Sequence, residues 1–155
     1  MKSMLAMVLA LCMVAVLLPV PTSATVFAKG KCGLSVFWEL DENGTLTIYG
    51  NGAIEPGQTV SFPPWKQYTG KITSVIIQPG ITQIGDNAFY QCSAITSVVI
   101  PETVTSIGKS AFYRCGVIPE VVLPSKLEHL GAAAFADSGI QSIVVPETIT
   151  TVSAD

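Results

Sequence analysis

The sequence predicts a mainly β protein in which one short unit repeats along the chain as a solenoid. Residues 95–115, ITSVVIPETVTSIGKSAFYRC, are matched by residues 72–92, ITSVIIQPGITQIGDNAFYQC, and by residues 118–138, IPEVVLPSKLEHLGAAAFADS. The period is 23 residues, as one recurring aromatic position shows: Phe89, Phe112 and Phe135. A fixed short period is typical of solenoids, in which each unit buries its apolar side by stacking on a neighbour.

A fourth copy begins at Ile140 and covers only part of the unit, so the sequence contains about three and a half repeats. The third copy is one residue shorter than the others and has Ser138 where its predecessors have cysteine. An incomplete last coil would expose apolar surface. We therefore expect either a fragment of a longer array or a covered end, including end-to-end self-association through this open repeat.

Each repeat is predicted to contain two short strands and a bend. Residues 96–100 form the first strand, which ends at Pro101 because proline cannot donate to a sheet ladder. Residues 104–107 form the second, and Gly108 then predicts a turn with positive φ. The inward positions are predicted to be Val75, Ile77, Ile81, Ile84 and Phe89, then Val98, Ile100, Val104, Ile107 and Phe112, then Val121, Leu123, Leu127, Leu130 and Phe135.

Residues 29–70 do not follow the period and are predicted to form an N-terminal β-hairpin cap. Residues 35–40 and 45–49 alternate between apolar and polar, and Asn43-Gly44 between them is a strong hairpin signal. Terminal units of a solenoid are normally atypical because they cover an apolar end. Trp38 and Trp65 are the predicted covering side chains, with residues 57–65 as an irregular loop.

Residues 1–28 are predicted to be a secretory signal peptide, which leaves the cap at 29–70 and the repeats at 71–155. Lys2 precedes an apolar run over residues 4–20, and small residues follow. Cleavage fits either after Ala24 or after Ala28; we place the boundary at Ala28. The run is short for a membrane span. The predicted mature chain is secreted or on the cell surface, with no membrane insertion.

Charge and cysteine content exclude several functions. Removing the signal takes away Lys2 and no acid, so the formal charge changes from −3 to about −4, which does not favour nucleic-acid binding. Cys32, Cys92 and Cys115 remain. Cys92 and Cys115 hold the same repeat position, so they are either buried free thiols, which we prefer, or a disulfide. Nothing suggests a zinc site.

No pattern for catalysis, cofactor binding or metal binding stands out, so we predict a protein that is not an enzyme. His129, the only histidine, occupies a variable polar repeat position. Glu102 and Glu147 follow prolines in different copies and are too far apart for an acid–base pair. Tyr90 and Tyr113 form a second stack, either partly buried packing or a seat for sugar rings.

Strand alternation predicts an outward face opposite the inward positions. This face is β-branched and nearly uncharged, so it is either a patch for a protein partner or a consequence of sheet propensity. We define the candidate face by its eight residues: Ser74, Ile76, Ser97, Val99, Glu120, Val122, Ser142 and Val144.

The unit I-x-x-V-x-I-P-x-x-V-x-x-I-G-x-x-A-F-x-x-C resembles BspA-like leucine-rich repeats of bacterial surface and secreted proteins. The resemblance covers residues 72–155. It implies a curved solenoid with a parallel sheet on the concave side, and a role in surface binding or adhesion. The predicted function is binding of an extracellular protein or glycan; the alternative is a targeting or spacer segment of a larger cell-wall-associated enzyme. Segments that resemble the cap preceding such repeats are Cys32-Gly33, Trp38 to Asp41, Gly44 to Ile48 and Pro64-Trp65.

Overall fold

The computed structural model describes residues 24–55 and 63–152, which contain β-strands and one short 3-10 helix, Lys66–Tyr68. Most of the predicted signal peptide, part of the predicted loop including Phe62, and Ser153 of the fourth copy lie outside the described residues. The strands are β1 Val26–Lys31, β2 Ser35–Asp41, β3 Thr45–Ile54, β4 Ser74–Ile77, β5 Ile81–Ile84, β6 Ser97–Val99, β7 Ser106–Ile107, β8 Glu120–Val122, β9 His129–Leu130, β10 Ser142–Val144 and β11 Thr151–Val152.

The cap is a three-stranded antiparallel sheet, β1-β2-β3. Its β2–β3 hairpin was predicted and is confirmed. Gly44 closes the turn at φ 85°, its N–H donating to the carbonyl of Asp41, while the Asp41 carboxylate accepts the N–H of Thr45 at 2.8 Å. The sequence does not predict strand β1, because its first three residues, Val26 to Ala28, fall at the end of the predicted signal peptide.

Strand β3 belongs to the cap and to the repeats at once. Residues Thr45–Ile48 pair with β4 in parallel, and Gly52–Ile54 pair with β5 in parallel. The strand changes direction between these two parts, where Gly50 and Gly52 adopt φ values of 115° and 116°. It is therefore the first turn of the solenoid as well as the last strand of the cap.

Two parallel ladders run along the repeats from β3. The first ladder contains β4, β6, β8 and β10; β4 pairs with β6 and β8 with β10, while β6 lies beside β8. The second ladder is continuous through β5, β7, β9 and β11. The predicted solenoid of short parallel strands is thus confirmed.

The core is one continuous apolar cluster that extends from the cap into the third repeat. The predicted inward positions all belong to it or pack against it. Val98, Ile100, Leu130 and Phe135 are half-buried, and the other eleven are buried. Isoleucine, valine and leucine dominate, so the interior is stabilised mainly by removal of apolar surface from water.

A ladder of stacked aromatic rings runs through this core. The centroid distances are 5.6 Å from Trp65 to Phe89, 4.8 Å from Phe89 to Phe112, and 5.1 Å from Phe112 to Phe135. The interplanar angles are 20°, 17° and 6°. Trp65 is fully buried and donates its indole N–H to the carbonyl of Ala88 at 2.9 Å, so the cap supplies the first ring.

The predicted reason for the repeated glycines is wrong. Gly108 and Gly131 do not have positive φ; that conformation belongs to Ser110 and Ala133, two residues further on. A Cβ at Gly108 would lie 2.6 Å from the backbone nitrogen of Asp86, in the preceding coil. Glycine is required here because the backbones of adjacent coils approach closely.

Phe112→Ala tests the aromatic ladder, since Phe112 is the ring stacked on both sides by phenylalanine. We expect a loss of about 3–5 kcal/mol in the free energy of unfolding, from lost transfer energy and a cavity, and a melting temperature roughly 10 °C lower. Val117→Ala, at a site 58% exposed, is the control and should melt like the unmodified chain. Equal melting of both variants would contradict the ladder.

Gly108→Ala tests the close approach of the coils. The added methyl group meets the Asp86 carboxylate and also backbone atoms, the Asp86 nitrogen at 2.6 Å and the Gly85 carbonyl carbon at 2.8 Å, so a side-chain movement alone cannot make room for it. We therefore expect a loss of about 2 kcal/mol or more in denaturant unfolding. Gly70→Ala is the matched control, since a Cβ there meets no atom within 4 Å and the backbone lies outside the left-handed region. A destabilisation of similar size in both variants would contradict the proposed cause.

Candidate interaction face

The structure places the candidate face on the solvent side of the first ladder. Its four apolar side chains are large and exposed, with relative exposures of 37% for Ile76, 52% for Val99, 56% for Val122 and 48% for Val144. The serines and Glu120 beside them are exposed or half-buried. No contact within the described residues covers this surface, and its role in binding remains a prediction.

Strand register aligns the candidate face into two rows. Ser74 pairs with Ser97, and Ile76 with Val99. In the next strand pair, Glu120 is opposite Ser142 and Val122 opposite Val144. Because neighbouring strands lie about 4.8 Å apart, the four apolar side chains form one row and the polar side chains a parallel row.

The cap extends this face, which sequence reasoning did not anticipate. Thr45 and Thr47 of β3 pair with Ser74 and Ile76 of β4 and therefore continue the polar and the apolar row. The alternation in residues 45–49 predicts a strand but not its parallel pairing with the first repeat, and only that pairing joins the two surfaces. We define the cap extension by its outward residues: Phe37, Glu39, Thr45, Thr47 and Tyr49.

The cap extension includes an aromatic pair held by a hydrogen bond. Phe37 and Tyr49 are cross-strand partners whose ring centroids are 5.9 Å apart. The Tyr49 hydroxyl donates to the Glu39 carboxylate at 3.0 Å. This hydrogen bond is the main cause that raises the pKa of Tyr49 above its usual value. The rings are therefore fixed in orientation at one end of the face.

The charge on this side of the molecule has both signs. Strands β2, β3, β4, β6, β8 and β10 carry only carboxylates as charged side chains, namely Glu39, Asp41 and Glu120. Strand β1 adds exposed Lys29 and Lys31, which pair with Glu39 and Phe37 of the cap extension. A partner that approached the face would thus meet apolar side chains with positive and negative groups at the cap end.

The other sequence candidates lie elsewhere and do not form a catalytic group. Glu102 accepts hydrogen bonds from the Ser125 hydroxyl at 2.6 Å and its N–H at 2.9 Å, which lower the pKa of that exposed carboxyl. It links two successive coils at the position that follows the strand-ending proline. Glu147 is exposed in the fourth copy and has no part in this contact.

His129 is exposed on β9 in the second ladder, with Ser106 as its neighbour on β7. It borders a shallow depression of about 350 Å³ whose other lining residues include Gln83, Gly108 and Gly131. Within residues 24–55 and 63–152 its imidazole has no hydrogen-bond partner that could orient it as a base. A general base needs such positioning, so the surface interpretation is favoured.

Tyr90 and Tyr113 stack on each other with centroids 5.2 Å apart and an interplanar angle of 13°. The Tyr113 hydroxyl donates to Asp137 at 2.8 Å, and Arg114 lies 5.1 Å from the Tyr113 ring and 3.4 Å from Asp137. Each ring covers one face of the other, and Arg114 also contacts the Tyr113 ring. This arrangement favours packing over a seat for a sugar ring.

Cys32, Cys92 and Cys115 are buried free thiols in the structure. Burial raises the pKa of Cys92 and raises that of Cys32 and Cys115 to about 12. The Cys115 thiol donates to the carbonyl of Phe89 at 3.2 Å. Raised pKa values favour the neutral thiol, which is a poor nucleophile.

In the part of the chain that the structure describes, no group of three or more histidine, cysteine, aspartate or glutamate side chains could hold a metal ion. The same residues contain no helix long and apolar enough to cross a bilayer.

Thiol reactivity tests this burial. With folded pKa values near 12 in place of 9.0, the thiolate fraction at pH 8 falls by about a thousandfold. We expect the native chain to react with an aromatic disulfide reagent at least about a hundredfold more slowly than the chain in urea. Three thiols per chain should react in urea without reductant when the protein lacks the predicted signal peptide and with it Cys12. A count of one would instead indicate a Cys92–Cys115 disulfide.

Comparisons with known proteins agree with this architecture. Residues 67–155 match the family model described as "BspA type Leucine rich repeat region (6 copies)". No curated protein matches the chain.

Similar solved structures include two leucine-rich repeat proteins. One is a leucine-rich repeat protein from Eubacterium ventriosum, with 26% identity and a TM-score of 0.65 over 81% of this chain and 40% of that protein. The other is a leucine-rich repeat protein from Bacteroides ovatus, with 25% identity and a TM-score of 0.54 over 78% of this chain and 36% of that protein. This chain thus spans less than half the length of either.

Proposed function

Because the chain belongs to the BspA-type leucine-rich repeat family, as its repeat pattern predicted, we propose that it is a non-catalytic module that binds an extracellular macromolecule. It acts outside the cell, secreted or at the cell surface, as the signal-like residues 1–28 predict. Its partner docks on the candidate face and the cap extension. No cofactor takes part, and the partner is neither a nucleic acid nor a lipid bilayer.

The observation that carries this proposal is the row of exposed apolar side chains on the first ladder. Ile76, Val99, Val122 and Val144 are all at least 37% exposed. On β4, β6 and β8 the adjacent valine of the same strand is buried or half-buried, whereas on β10 Ile143 is exposed as well. A contiguous exposed apolar patch with a polar border is typical of an interaction surface. Sheet propensity alone does not account for apolar residues here, because threonine also favours strands and would be permitted at the same positions.

A protein is the partner that this surface fits best. The apolar row offers dry contact area, while Phe37 and Tyr49 form a rigid aromatic anchor of the kind that dominates binding energy at protein interfaces. Glu39 and Glu120 lie at the border together with Lys29 and Lys31 of β1, so the complementary surface would carry charges of both signs around an apolar centre. A glycan partner would depend less on the apolar row and more on the hydrogen-bonding side chains.

The proposal predicts that Val99→Asp and Val122→Asp abolish partner binding without unfolding the chain. Each substitution introduces a charge at an already exposed position, so melting should change little, whereas affinity for an apolar partner surface should fall by at least about tenfold. Val117→Asp, at a site 58% exposed outside the face, is the matched control. Binding is measured by surface plasmon resonance against arrayed purified extracellular proteins, with a glycan array in parallel.

The outcomes separate the alternatives. Protein binding that survives in Val99→Asp and Val122→Asp, or that Val117→Asp removes equally, would contradict the candidate face. Binding to glycans without binding to any protein would contradict a protein partner and would indicate a glycan as the partner.

The alternative function, a targeting or spacer segment of a larger cell-wall-associated enzyme, would require catalysis by residues beyond this sequence. The fact that the chain covers 40% and 36% of two solved relatives is compatible with either function. Attachment of the isolated chain to purified cell walls, retained in Val99→Asp and Val122→Asp, would favour it.

A further inference from the structure

We propose that the signal peptide is removed by hydrolysis of the peptide bond between Ala24 and Thr25, and not after Ala28. The inference rests on the proposed export of the chain. Both positions follow small residues, in the sequences Thr22-Ser23-Ala24 and Val26-Phe27-Ala28, so the cleavage pattern itself does not choose between them. The contacts that residues 25–28 make in the structure favour the cut after Ala24.

Residues 25–28 form the beginning of β1 and are bonded into the cap. Val26 pairs with Asp41 and Ala28 with Leu40 in the antiparallel β1–β2 ladder. One residue earlier, the carbonyl of Thr25 accepts the N–H of Glu42 at 3.1 Å, and its hydroxyl donates to the Glu42 carboxylate at 3.1 Å. Among the described residues, the pairing with β2 and its end thus begins at Thr25, directly after Ala24.

Phe27 connects this strand to the aromatic residues of the cap. Its ring makes an edge contact with Tyr68 at 5.5 Å, and the ammonium group of Lys71 lies 4.2 Å from its centroid. Tyr68 in turn packs against Trp38, which contacts Trp65 at the start of the aromatic ladder. Removal of Phe27 would therefore open the side of the cap that supports the first coil.

Cleavage after Ala28 would leave only Lys29, Gly30 and Lys31 of β1 paired with β2. It would also remove Ala28, which packs against the core. Cleavage after Ala24 removes no residue of β1. A fold that uses residues 25–28 in this way is consistent with only the earlier cut.

The α-ammonium group that this cleavage creates would also lie in a favourable electrostatic environment. Hydrolysis adds water across the Ala24–Thr25 amide, which leaves a carboxylate on the released peptide and an α-ammonium group on Thr25. Glu42 contacts Thr25 directly, and Asp41 is the partner of Val26, so the new positive charge would lie beside carboxylates. The contribution of such an exposed pair is small, but its sign is favourable.

The direct test is the mass of the exported protein. The full chain, residues 1–155, is expressed in a bacterial export host, and the extracellular or periplasmic protein is measured by intact mass spectrometry and N-terminal sequencing. We expect a chain that starts at Thr25. A start at Lys29 would overturn the cleavage position but not export, whereas an uncleaved chain kept in the cytoplasm would overturn both.

Two matched variants sharpen this result. Ala24→Val places a branched side chain before the proposed bond, where a small residue is needed, and should reduce the yield of the Thr25 form at least about tenfold. Ala28→Val makes the same change at the other position and should leave the Thr25 start unchanged. Loss of processing in Ala28→Val alone would refute the proposal.

A stability measurement tests its structural basis independently of export. Chains that begin at Thr25 and at Lys29 are produced directly and compared by thermal melting. We expect the chain that begins at Lys29 to melt at least about 4 °C lower, because it lacks the first half of β1 and the Phe27 contacts. Equal melting temperatures would show that residues 25–28 are dispensable and would remove the argument for Ala24.

Discussion

Stacking of rings along the solenoid axis is the interaction on which the rest of the molecule depends. No single coil can bury its own apolar side, because each is only a few side chains thick. Trp65, Phe89, Phe112 and Phe135 solve this problem by covering one another at distances near 5 Å. The spacing of the rings matches the spacing of strands in a sheet, so the ladders and the core keep the same register from one coil to the next.

This common register also explains why the chemistry of the chain is so uniform. A residue that occurs once per repeat is aligned with its copies, so inward positions become the core and outward positions become rows. Several polar side-chain contacts in the repeats, such as Glu102 with Ser125 and Tyr113 with Asp137, join one coil to the next. They stabilise the stack and do not converge on a cleft, which is why the exposed rows and not a pocket carry the proposed function.

The sequence predicted well whatever depends on period. The inward positions and the β2–β3 hairpin follow from spacing and alternation, and the structure agrees. The sequence predicted poorly those features that depend on how closely residues of neighbouring coils approach each other. The need for glycine at Gly108 comes from Asp86 in the neighbouring coil, 22 residues earlier in the chain. Trp65 stands 24 residues before Phe89 and so does not fit the 23-residue period, which is why the sequence does not place it in the ring ladder. The outward face of the cap joins the candidate face only through the pairing of β3 with β4.

Strand β3 has a consequence for the order of folding. Its first half starts one parallel ladder and its second half starts the other, with the direction change at Gly50 and Gly52 between them. The hairpin that positions this strand is made of contacts local in sequence, and such contacts form early. Once the hairpin is formed, β3 offers each ladder its first parallel partner, so we expect a coil that docks against the cap to find its register already set.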